Sequence, residues 1–147
     1  MTVTAAKSKK AYQTLCRVLE RNDILHECDE KNLCVKCCVS GKETELKLIF
    51  VIEPPKMLIS LYAPMNIIAS WENASDLAFA LCVINDSLSD GHFCFDAKGM
   101  GVYFKMTSSF YNSFINDSIF EYMLSVAAEK TDEYYSRINA LSVSWKS

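Results

Sequence analysis

The sequence is poor in glycine and proline, with four and three of each in 147 residues. That scarcity closes off phosphate-cradling loops. Such a loop needs a run of glycines opening onto a helix, so that amide N–H groups and the helix dipole converge on an anion. The one close pair, Gly99 and Gly101 in DAKGMGVYF, leads instead into Met100 to Thr107, which alternates with period two. The pattern predicts a hairpin of two strands, His92 to Ala97 and Met100 to Thr107. Lys98-Gly99 is the turn, with glycine at the position needing positive φ.

An excess of basic charge is also missing. Lys and Arg number 15 against 18 Asp and Glu, a net charge of −3. Lys7, Lys9 and Lys10 form the only basic cluster and read as a solvated helix start. A general nucleic-acid surface, which must displace phosphate counterions, is therefore not expected. Long apolar runs are absent too. LKLIFVIEPP is stopped by Glu53 and two prolines, well short of the ~20 apolar residues that span a bilayer. MTVTAAKSKK carries lysines where the apolar stretch of a secretory signal should stand. A cytoplasmic protein without a membrane partner is the expectation.

What the chain has in plenty is hydrophobic residues, 50% of the total, and aromatic ones, 12%. One domain over residues 1–147 with a sizeable core follows. Cysteines number seven, an odd count without an export signal, which fits free thiols in a reducing compartment. His26-x-Cys28 and Cys34-x-x-Cys37-Cys38 form the sharpest chemical candidate, since a CxxC hook supplies two of the four ligands zinc takes. A second hook is missing, and Cys34 and Cys37 on one strand point to opposite faces. The thiols thus read first as packing, with metal or redox sensing by Cys28, Cys34, Cys37 and Cys38 as the alternative. His92 and Cys94 share a strand face, but ~6.5–7 Å separates such Cα atoms and no third group orients them. No catalytic residue, metal or cofactor is assigned, and no enzyme is expected.

Periodicity supplies the element order. Ala11, Leu15, Val18 and Leu19 stripe a helix over residues 5–22. Period-two segments follow at Ile24 to Asp29, Leu33 to Ser40 and Leu46 to Glu53. Lys56 to Ala63 reads as a fourth strand ended by Pro64. Leu77, Leu81, Ile84 and Leu88 mark a middle helix, and Ser118 to Glu121 a capping box opening a long last helix. The fold class expected is α+β, with three helices packed on an antiparallel sheet of five to six strands.

The residues LCVINDSLSDGHFCFDAKGMGVYFKM carry a family likeness. A helix ends in an Asn-bearing turn, then come a strand with Phe and Asp, a tight turn and a longer strand. With Asn85 and Phe93 to Asp96 as the matching positions, the pattern resembles the YbjN-like bacterial domains described as sensory transduction regulators. The order of the other elements extends the likeness over nearly the whole chain. It implies a fold like that of type III secretion chaperones, often dimeric and polypeptide-binding, with no catalytic residues. A fourth strand before the middle helix departs from the three such chaperones usually show.

The partner expected is a second copy of the chain, with a protein or peptide besides. Three helices can cover one sheet face, yet Ile49, Val51, Phe93, Phe95 and Tyr103 fall on the phases opposite to the main apolar phases of their strands. Phe110 and Tyr111 add aromatics in the connection before the last helix. These seven are the candidate interface.

Overall fold

A computed structural model describes residues 2–42 and 44–143. Helix α1 (Val3–Arg21) is followed by strands β1 (His26–Asp29), β2 (Cys34–Ser40), β3 (Glu45–Glu53) and β4 (Leu58–Ile68). Then come α2 (Ala74–Asp86), the strands β5 (His92–Asp96) and β6 (Gly101–Ser109), and α3 (Asp117–Ser142). The strands form one antiparallel sheet in the order β1-β2-β3-β4-β6-β5. The α+β architecture, three helices on an antiparallel sheet, is the one expected, and the sheet has six strands where five to six were expected.

The core lies between the helices and one sheet face. Val35 and Cys37, then Leu46, Leu48, Phe50 and Ile52, then Ile59, Leu61, Ala63 and Met65 point inward, as do Val102, Phe104 and Met106. Alternation by two residues puts all of them on one side. They meet Leu15, Val18 and Leu19 of α1, Leu77, Leu81 and Ile84 of α2, and Phe120, Met123, Ala127 and Ile138 of α3. Phe50 and Phe120 meet edge-on with ring centres 5.9 Å apart.

β4 runs five residues past its expected end, through Pro64. Proline interrupts a strand because it has no N–H to donate. Pairing of β4 with β3 stops at Ile49–Tyr62, whereas pairing with β6 continues to Pro64–Tyr103 and, past an irregularity, Ile68–Gly101. Extending the β3–β4 register by two residues would set Lys47 opposite Pro64, where the donor is missing. Two residues on, Asn66 takes φ +57°. β3 and β4 therefore part at this end of the sheet.

Two local expectations are corrected. In the β5–β6 turn the positive φ belongs to Met100, not to Gly99, and Asp96 Oδ1 accepts the Lys98 N–H at 3.1 Å. The cap of α3 is Asn116, whose Oδ1 accepts from the Ile119 N–H. Glu121 is ion-paired with Arg21 of α1 rather than closing a capping box on Ser118.

Candidate protein-interaction surfaces

The uncovered sheet face is built row by row from the register. One row reads Glu27–Lys36–Ile49–Tyr62–Lys105–His92, and flanking rows hold Cys34–Val51–Ser60–Thr107 and Pro64–Tyr103–Cys94. Ile49, Val51, Tyr62 and Tyr103 are half-buried and make an apolar spine between lysines. Tyr62 and Tyr103 lie with ring centres 6.1 Å apart, and the Lys105 ammonium sits 5.2 Å from the Tyr62 ring centre. The face is thus neither plainly apolar nor plainly polar.

Of the seven candidate interface residues, Ile49, Val51 and Tyr103 do share this face. Phe93 and Phe95 do not. Their partners in the ladder are Phe104 and Val102, on the helix-covered side. Phe93 is 2% exposed and packs against Phe104 and Tyr134. Alternation within five residues could not say which phase of β5 faced inward; the pairing with β6 decides it. Phe110 is buried in the core, its N–H donating to the Met57 carbonyl. Tyr111 next to it is exposed, as is Phe114, which lies under the Lys7 and Lys10 ammonium groups.

Where β3 and β4 part, a groove of about 1020 Å³ opens. Leu25 to Glu27 form one wall, Glu45 to Ile49 and Ala63 to Asn66 stand on either side of the parting, and Thr131 and Tyr135 of α3 complete the lining. Backbone direction sharpens its chemistry. The Cys38 N–H donates to Leu25 and the Ile52 N–H to Leu33. On β3 the even-numbered residues therefore bond towards β2, and Glu45 and Lys47 present their backbone groups towards β4. Past Ile49 the ladder does not take up those groups.

The proposed cysteine cluster is not assembled. Cys37 faces the core, and burial pushes its thiol up to about 12. Cys34 and Cys38 lie on the open face, and Cys28 meets Cys16 of α1. Among the described residues no group of three or more His, Cys, Asp or Glu is placed to hold a metal ion. Cys94 meets Tyr103 across the ladder, not His92. Burial raises its thiol, and the Tyr103 hydrogen bond offsets that in part.

The strongest surface lies outside the seven candidate interface residues. α2 is apolar on both sides. Leu77, Leu81 and Ile84 are buried, while Phe79 is 72% and Val83 53% exposed, with exposed Cys82 between them. Positions 79, 82 and 83 follow helical spacing and form an outward stripe. Trp71, 83% exposed, stands in the turn leading into the helix. The signal was present in LAFALCVI, where apolar residues occupy every turn position instead of one stripe. A helix apolar all round is normally buried on all sides.

No family model matches the sequence, and no curated protein does. Solved structures do. A chain of the ExsC–ExsE complex superposes with a TM-score of 0.63 at 14% identity, covering 94% of this chain and 97% of that one. A chain of the HopA1–SchA chaperone–effector complex gives 0.62 at 9% identity, covering 88% and 96%. The fold is type III secretion chaperone-like, with four strands before the middle helix. No helix among the described residues is long and apolar enough to cross a membrane.

Proposed function

We propose that this chain is a non-enzymatic, chaperone-like module that binds another polypeptide and works as a homodimer. The observation that carries the proposal is the outward stripe of α2. Phe79, Cys82 and Val83 leave a helix with apolar residues on both sides and cover on only one. Burying such a stripe against its own copy is the simplest closed arrangement, because a two-fold interface is self-complementary. A chain of the ExsC–ExsE complex and one of the HopA1–SchA chaperone–effector complex share the fold, which makes a polypeptide the favoured cargo here.

The cargo surface we assign to the open sheet face and the groove beside it. Ile49, Val51, Tyr62 and Tyr103 offer apolar contact, with Tyr111 as an exposed aromatic nearby in sequence to β6. Backbone groups of Glu45 and Lys47, beyond the end of the β3–β4 ladder, offer main-chain hydrogen bonds to an extended segment. A cytoplasmic, bacterial, YbjN-like regulator is the finer proposal. It rests on Asn85 and Phe93, two of the positions that carry the likeness, which are hydrogen-bonded together.

Light scattering coupled to size exclusion tests the assembly. The wild-type chain should elute with twice its monomer mass, and Phe79→Asp should elute as a folded monomer with an unchanged circular dichroism spectrum. A wild-type monomer at high micromolar concentration would remove the homodimer from the proposal.

A further inference from the structure

Cys16 on α1 and Cys28 on β1 bring their Sγ atoms within 3.3 Å. The two belong to different elements, so the fold and not local sequence makes the contact. Tyr12 lies one helical turn before Cys16, and burial, together with the two thiols, pushes its hydroxyl well above the usual tyrosine range. Cys28 is exposed and Cys16 half-buried. Among the described residues theirs is the one hydrogen bond between two thiols.

We propose that Cys16 and Cys28 form an oxidisable dithiol, a site that low-molecular-weight disulfides convert to an intramolecular Cys16–Cys28 bond. A sulfur–sulfur bond is about 2 Å long, so the side chains need close by little more than about 1 Å. Order follows from exposure. Cys28, reachable from solvent, attacks one sulfur of the small disulfide as its thiolate. That sulfur–sulfur bond breaks, and one small thiol leaves carrying the proton Cys28 gave up. Cys16 is the poorer first nucleophile, its thiol pushed up to about 11 chiefly by burial and then by its hydrogen bond with Cys28. Held against the Cys28 sulfur, it attacks the mixed disulfide and releases the second small thiol with its own proton. Two protein thiols are oxidised and one external disulfide is reduced to two thiols.

The bond would tie α1 to an edge strand whose first residues, with Leu25 before them, wall the groove. Its formation does not depend on what the groove holds, so it stands or falls apart from the proposed function.

The test equilibrates the full chain with glutathione disulfide and glutathione at graded ratios, followed by acid quenching and intact mass measurement. The expected result is a loss of about 2 Da, the two thiol hydrogens, with a digest peptide joining Cys16 to Cys28. Cys28→Ser, at an exposed position, should fold normally and show no loss. Cys16→Ser should keep glutathione on Cys28 in the peptide map and form no bond within the chain. A wild-type chain that carries the adduct without closing, that links through another cysteine or between chains, or that resists ratios oxidising ordinary protein dithiols would overturn the proposal.

Discussion

The side-chain amide of Asn85 closes the outer edge of β5. The Phe93 N–H donates to its Oδ1 at 2.7 Å, and its Nδ2 donates to the Phe93 carbonyl at 2.9 Å. Phe93 pairs with Phe104 on β6 but turns its backbone groups away from it, and α2 supplies in one side chain what a further strand would supply. An unblunted edge invites pairing with another chain. Asn85→Ala should cost about 1–3 kcal/mol, the penalty of two polar groups losing their partner. Calorimetry should show a lower Tm and turbidity an earlier onset of aggregation. An unchanged Tm would show that the amide does not hold this edge.

Gly91 precedes β5 with φ +72° and packs against Phe104, where an added Cβ would collide with the ring. Left-handed backbone and overpacking act together, so Gly91→Ala should cost about 2–4 kcal/mol. Urea unfolding should report a lower midpoint with an unchanged slope. Gly99→Ala is the control: its φ is not positive and it meets only the Asp96 side chain, so its midpoint should move much less.

Acid should loosen the junction of α1 with α3. Hydrogen bonds from Arg21 and Arg17 hold the Asp117 carboxyl below the usual carboxylate range, and Ser60 and Lys56 do the same for Glu53. A carboxyl whose folded pKa is depressed contributes stability above its unfolded pKa and loses it as pH falls through the folded one. Stability should therefore drop as pH falls below about 4. The Asp117→Asn variant should show a shallower drop than the wild type, and equal slopes would contradict the assignment.

The two faces of β3 should respond differently to charge. Ile49 and Phe50 are neighbours, yet one is half-buried on the open face and the other is wholly buried among the helices. Ile49→Asp should leave the chain folded, with a loss of about 1 kcal/mol or less. Phe50→Asp should unfold it, because an unpaired charge in the core is far costlier. Near-ultraviolet circular dichroism separates the outcomes, and an unfolded Ile49→Asp would move that residue into the core.

Most of the architecture was legible in residue spacing, because each element carries its own period. Leu15, Val18 and Leu19 announce α1 without reference to anything else, and Leu48, Phe50 and Ile52 announce the inner face of β3. What failed to show was decided between elements. Pro64 reads as a strand end unless β4 is known to lack a β3 partner there. Phe93 could face either way until paired with Phe104. Cys16 and Cys28 belong to segments of different period, and only the fold brings them together. The outer stripe of α2 differs in kind: Phe79 and Val83 stand openly in the sequence, but the inner stripe of Leu77, Leu81 and Ile84 already supplies the one apolar face a surface helix needs.

The burial of that outer stripe against a second copy is tested most directly at Cys82, which lies within it. Its alkylation by a maleimide, followed peptide by peptide in the mass spectrometer, should slow as protein concentration rises, and Phe79→Asp should restore the fast rate. Alkylation of Cys82 at the rate of a free thiol at every concentration would contradict self-association through α2.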